Sequence, residues 1–359
     1  MRNNESSDCL LSTAPSKNLT SPETGPAVES KKSPMEAGRK TSMPKVYGDT
    51  PSFLGGPVLN HQTLSKGYDV IVAGVPWEGT VTWGSFTGCE LSPRTVRHAS
   101  ARYGGFLPEY EIDLFDHLTL GDVGDVAITP NDPAKTMRQV YGAMDDIYRN
   151  ESIPFVLGGD HSFTPEIINA LSNNEEGEIG VIHFDAHFDN APCFGTDEYP
   201  RCGPIHRISQ IEKVRNKSIV HVGIRGPRNS PAQLGYAQEL GATIFTMREI
   251  RKRGIESVIE DAISIANTGT KKIFLTICSD CIDAGFNPGG PADFNGLLPH
   301  ELLSALHRIG QSGIAGLDYV EIYPGQDPNG FSSHLVSWAM IYLLAGMADR
   351  KRNSISNAV

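Results

Sequence analysis

The sequence has no strongly basic stretch, no apolar run of the roughly 20 residues that a bilayer-spanning segment needs, and too few cysteines for a disulfide scaffold. Across 359 residues the formal net charge is −11, which disfavours nucleic acid as a partner. Without an apolar span, no membrane partner is expected. The first residues lack the apolar core of a secretory signal. Cys9, Cys89, Cys193, Cys202, Cys278 and Cys281 are scattered rather than patterned, so a reducing cytoplasm is the expected location. Cys278 and Cys281 form a C-x-x-C with no second pair to complete a zinc knuckle. Large apolar residues are also scarce in residues 1–45, where Ser, Pro, Asn, Lys and Glu dominate. Such a segment cannot bury enough surface to offset its ordering entropy, so a disordered or loosely packed arm is expected there. Residues 46–359 are expected to form a single domain.

That remainder contains short apolar runs separated by helical patterns. Strands are expected at about 69–74, 118–126, 153–157, 179–184, 218–226, 243–245, 273–277 and 314–322. Helices are expected between them, for example from Asp132-Pro133 to about Asn150, with Met137, Val140, Tyr141, Met144 and Tyr148 on one stripe. A final helix is expected over about 332–346. This alternation predicts an α/β fold with a parallel sheet, either open or closed into a barrel.

Three clusters of metal-binding residue types follow apolar runs. Asp185-Ala186-His187-Phe188-Asp189 comes after Gly180–Phe184, Gly158-Gly159-Asp160-His161-Ser162 after Ile153–Leu157, and Ser279-Asp280-Cys281-Ile282-Asp283 after Ile273–Ile277. Ligands at every second position cannot share a helix face, but they converge at a strand end. Asp with His suits borderline divalent ions such as Mn, Ni, Co or Zn. Carboxylates outnumbering histidines favour a two-metal site over a closed structural zinc site.

In this order the clusters resemble the ureohydrolase family, the arginases, agmatinases and relatives that hydrolyse guanidino groups. Gly121-Asp122-Val123-Gly124-Asp125, Gly223-Ile224-Arg225-Gly226 and Gly316–Glu321 add to the resemblance, which runs from about residue 50 to 346. It implies a three-layer α/β/α domain with an open, mostly parallel eight-stranded sheet, assembled as a trimer or a hexamer. It also implies His161, Asp185, His187, Asp189 and Asp280 as ligands to two ions that activate the attacking hydroxide, with Asp189 also accepting a proton. Glu321 matches the carboxylate that pairs with the substrate guanidinium.

Two positions depart from the family pattern. Aligning residues 276–284 with S-x-D-x-D-x-x-D-P puts Cys278 at the first, metal-bridging Asp, and Ala284 at the Pro. In Pro200-Arg201-Cys202-Gly203-Pro204-Ile205-His206, Cys202 stands where many members carry a substrate-contacting His, and His206 is the nearby alternative. A bridging thiolate at Cys278 would favour Ni or Zn over Mn, while a lost bridge implies sub-stoichiometric Ni or Mn. Two functions follow. One is a non-catalytic or auxiliary subunit assembled with a catalytic homologue, as in heteromeric biguanide hydrolases. The other is a self-sufficient hydrolase with an altered bridge. Loops 77–90 and 190–205 are expected to read the substrate, with Trp77, Trp83, Phe86 and Phe194 as an apolar rim.

Overall fold

Runs such as Val70-Ile71-Val72-Ala73 and Phe155-Val156-Leu157 are rich in β-branched and aromatic residues, with no polar face to turn to water. They suit strands covered on both sides. The computed structural model describes residues 51–61, 64–80 and 86–356, so the expected arm and Trp83 lie outside the described residues.

The strands are β1 (Val70–Gly74), β2 (Phe106–Leu107), β3 (Ile112–Asp113), β4 (Leu120–Asp125), β5 (Ile153–Leu157), β6 (Ile179–Phe184), β7 (Val214–Ile224), β8 (Thr243–Thr246), β9 (Lys272–Cys278) and β10 (Gly316–Val320). Eight of them form one open sheet in the order β4-β1-β5-β10-β9-β6-β7-β8, and every pairing in it is parallel. The expected barrel alternative is thereby excluded. β2 and β3 form a small antiparallel hairpin that the sequence reading left out.

The period-2 alternation of side chains builds two cores, one on each face of the sheet. Val70, Val72, Phe155, Leu157, Ile182, Phe184, Leu275 and Ile277 pack on one face, against α7 (Ile255–Ala266), α8 (Pro299–Ser312) and α9 (Phe331–Ser356). Ile71, Ala73, Val156, Val181, Phe274 and Val320 pack on the other, against α2 (Pro133–Arg149) and α3 (Thr164–Asn174). The result is the expected three-layer fold.

Helix α9 runs well past Gly346, where the sequence reading ended it. A Cβ on Gly346 would stand 2.0 Å from the carbonyl oxygen of His307, and one on Gly310 would stand 2.3 Å from that of Leu343. These glycines let α8 and α9 approach closely rather than ending a helix. Among the described residues, Phe331–Ser354 is the one helix long and apolar enough to cross a bilayer, a length the sequence reading had not found. Its apolar window is 72% buried within the fold, where it packs on α8 and on α1 (Ser92–Ser100).

The Gly121–Asp125 motif has a structural use. Asp122 accepts from Arg97 Nε at 2.9 Å and Nη2 at 3.0 Å, and from the Phe53 amide at 2.7 Å. Both charged side chains are almost fully enclosed. Removing Asp122 leaves the buried Arg97 with only Asp125 and the Gly124 carbonyl and frees the Phe53 amide, so Asp122→Ala is expected to cost about 3 kcal/mol. Denaturant unfolding checks this, and an unchanged midpoint would contradict it.

Candidate metal centre

The four central strands of the sheet, β5, β10, β9 and β6, are immediate neighbours, and each is followed at its carboxyl end by a segment carrying acidic or histidine side chains. β5 leads into Asp160 and His161, β6 into Asp185 to Asp189, β9 ends at Cys278 before Asp280, and β10 delivers Glu321. This is the edge at which open α/β sheets place ligands.

His161 Nδ1 lies 3.0 Å from Asp189 Oδ2 and 3.5 Å from Asp185 Oδ2. His187 Nδ1 lies 3.3 Å from Asp185 Oδ1 and 3.1 Å from Asp280 Oδ2. Asp185 is therefore common to both halves. His161, His183 and Asp185 form one group of mutually close ligand atoms, and Asp185, His187 and Asp280 form another. All are buried.

The ligands are oriented from behind. Thr276 donates its hydroxyl to Asp318 Oδ1 at 2.6 Å, so it accepts from His161 Nε2 at 2.8 Å. With a cation bound, that would fix the tautomer and turn the Nδ1 lone pair toward the metal; without one, Nδ1–H donates to the carboxylates. His187 Nε2 is placed 3.4 Å from Asp293 Oδ2, a charge contact, while Asp293 accepts from Arg228 Nη1 at 2.5 Å. Arg225, in the Gly223–Gly226 motif, donates to the carbonyls of Asp280, Ile282, Asp293, Phe294 and Gly223 and so fastens the loop that carries Asp280. Asp189 and Glu321 sit at φ 45° and 63°, left-handed conformations uncommon for non-glycine residues and often found at functional sites.

Electrostatics favour added positive charge. Burial alone would lower the two histidines, but the surrounding carboxylates raise both well above the usual range, through the hydrogen bonds that His161 donates to Asp185 and Asp189 and the charge of Asp280 at His187. Burial and then the charge of Asp185 push Asp280 up. Histidines that must be protonated to satisfy their neighbours mark a place that a divalent cation also fits, with neutral imidazoles as donors.

Cys278 is 2% exposed and belongs to neither ligand group among the described residues. Burial, followed by the nearby Asp185 and Asp280, holds its thiol well above the ordinary range. Cys202 lines the cavity beside Asp189, and burial pushes it up to about 11.

The expected site residues do not all meet. His161, Asp185, His187, Asp189 and Asp280 converge, and Cys278, Cys202 and Glu321 line the same small cavity of about 40 Å³ as His187, Asp189 and Asp280. His206 does not reach the cluster. It lies on α4 (Pro204–Ile208), its ring 5.2 Å from that of Tyr236. Trp77 is not on a rim. It is 3% exposed and donates to Ser162 Oγ at 3.1 Å from within the core. Phe86 and Phe194 are exposed. The sequence reading missed His183, which lies 3.0 Å from Asp185 Oδ2 through Nε2. The signal was there: His183, Asp185, His187 and Asp189 continue one period of two. It also missed Asp293 and Arg201, which no local pattern marks.

The profile of the arginase family matches residues 68–346. The chain belongs to the arginase family. A guanidinopropionase from Pseudomonas aeruginosa is 28% identical over 310 residues, 86% of this chain and 95% of that one. A formimidoylglutamase from Bacillus subtilis is 30% identical over 276 residues, 73% of this chain and 83% of that one. The solved structure of the proclavaminate amidinohydrolase of Streptomyces clavuligerus matches with a TM-score of 0.78 at 26% identity, covering 85% of this chain and 99% of its own. These relatives share the fold and span most of the chain.

The loop that carries Asp160 and His161 depends on a glycine. A Cβ on Gly159 would stand 1.9 Å from the carbonyl oxygen of Trp77, a backbone atom that cannot swing away. Gly159→Ala is expected to lower stability by about 3 kcal/mol and displace His161. Calorimetry checks this, and an unchanged melting temperature would show that the loop is slack.

Proposed function

We propose that this arginase-family chain is part of a metal-dependent hydrolase that cleaves a C–N bond of a guanidino or biguanide compound, and that on its own it is an auxiliary rather than a fully catalytic subunit. The observation that carries this reading is the place of Cys278. It puts a buried thiol, held well above the ordinary range by burial and by Asp185 and Asp280, in the wall of the cavity where a carboxylate would offset repulsion between two ions.

The donor set fits manganese or nickel, held by His161, Asp185, His187, Asp189 and Asp280. When bound, such ions supply Lewis acidity and a nucleophile at neutral pH. The chain's own residues do the rest. Thr276 and Asp318 hold His161, and the charge of Asp293 faces His187 Nε2 at 3.4 Å. Asp189, beside His161 and open to the cavity, can take up a proton there. Glu321 presents its carboxylate to the cavity, oriented by the His161 amide at 2.9 Å and the Tyr323 hydroxyl at 2.6 Å. In this reading the chain works within a trimer or hexamer that includes a catalytic homologue.

A second reading, a self-sufficient binuclear hydrolase, is favoured by the two ligand groups sharing Asp185. Metal analysis of the purified full-length chain, with a guanidino and biguanide substrate screen run alone and with a homologous arginase-family chain, separates them. The expected result is fewer than about two ions per chain and turnover only in the mixture. Two tightly held ions and turnover by the chain alone would overturn the auxiliary role.

Two substitutions refine the test. Cys278→Asp restores a hard bridging anion and is expected to raise metal content, measured by elemental analysis after dialysis. Thr276→Val removes the hydroxyl behind His161 and is expected to weaken metal affinity by about 10–100-fold. Chelator competition measures this, and unchanged affinity would show that His161 is not a ligand through Nδ1.

A further inference from the structure

Next to the metal-binding cluster lies a second constellation of buried charge. The side chains of Glu78, Asp160 and Glu321 are 3%, 0% and 5% exposed. They converge on one cation, the guanidinium of Arg201, itself 4% exposed. Arg201 Nη1 lies 3.3 Å from Glu321 Oε2, and Nη2 lies 3.3 Å from Glu78 Oε1 and 3.5 Å from Asp160 Oδ2.

Two features set this apart from an ordinary structural ion pair. The carboxylates do not depend on Arg201 for their positions. Glu78 accepts from the Thr87 and Gly88 amides, Asp160 from the Gly79 and Ser162 amides, and Glu321 from the His161 amide and the Tyr323 hydroxyl. The carboxylates are thus held by the backbone and by Tyr323 independently of Arg201. Arg201, in contrast, fits loosely. Its contacts are longer than the roughly 2.7–2.9 Å of a well-formed charge-assisted pair, and its buried Nε has no partner among the described residues. With Arg201 in place, the adjoining cavity is only about 40 Å³, room for little more than a water.

We propose that the Glu78–Asp160–Glu321 pocket is a guanidinium-recognition site whose resident occupant in this chain is Arg201. Arg201 is then a specificity-determining residue: while it is seated, the head group of a guanidino compound is kept from Glu321. This deepens the functional reading above, resting on its guanidino substrate class, but it concerns binding alone and is tested without turnover.

The test is chemical rescue in the full chain. Arg201→Gly leaves three buried carboxylates without their cation and should melt below the wild type. Guanidinium chloride up to about 20 mM, far below denaturing levels, should then raise its melting temperature saturably by at least about 2 °C. Methylguanidine should act likewise, and sodium chloride at matched ionic strength should not. The wild type, already occupied, should not respond. Should Arg201→Gly fail to fold, Arg201→Gln, which keeps an amide donor in the pocket, undergoes the same titration with the same expectation. A folded variant that ignores guanidinium, a wild type that responds equally, or equal rescue by sodium would each overturn the proposal. None of these outcomes depends on whether the chain hydrolyses anything, so failure here is distinguishable from failure of the catalytic reading.

Discussion

The structure depends on collecting carboxylates where water cannot screen them. Asp185, Asp280 and Asp318 are almost fully buried, with Asp189 and Asp293 close behind. Charge taken out of water is costly unless it is paired and hydrogen-bonded. Much of the surrounding architecture answers that cost. His161, His183 and His187 face the carboxylates, the Ala186 and His187 amides donate to Asp280 and Asp185, and Arg225 clamps the loop around Asp280. What remains is a concentration of negative charge that a divalent cation would complete.

Parallel-sheet topology makes this concentration possible. Four strands far apart in sequence become neighbours, and their carboxyl ends open onto one edge. The two apolar cores beneath are conventional: side chains alternate between the faces and each face is covered by helices. The fold therefore concentrates its strain and buried charge at the rim of a well-packed body, as the left-handed Asp189 and Glu321 illustrate.

Local patterning made a large part of this readable from the sequence. The eight sheet strands stand out as apolar runs, and the His161, Asp185–Asp189 and Asp280 clusters stand out because each follows one. The features that escaped depend on register across the sheet. Thr276 meets Asp318 because β9 and β10 pair at those positions, a relation no spacing reveals. Asp293 and Arg201 arrive on loops whose course is set by tertiary contacts. Trp77 looked like a rim residue because of its glycine-rich neighbourhood, yet Ser162 draws its indole into the core. Gly346 looked like a helix end, whereas it serves the close approach of α8 and α9. Cys278 was visible as a departure from the family pattern, and the structure places it in the wall of the same cavity as Asp189 and Asp280.

In the auxiliary role proposed above, the cation site is built from carboxylate and imidazole and Cys278 takes no part in it. X-ray absorption spectroscopy of the zinc-loaded chain tests this directly, because sulfur and nitrogen or oxygen ligands give distinct shells. The account predicts a shell of nitrogen and oxygen at about 2.0–2.2 Å alone. A sulfur shell near about 2.3 Å that disappears in Cys278→Ser would contradict it and make Cys278 a metal ligand.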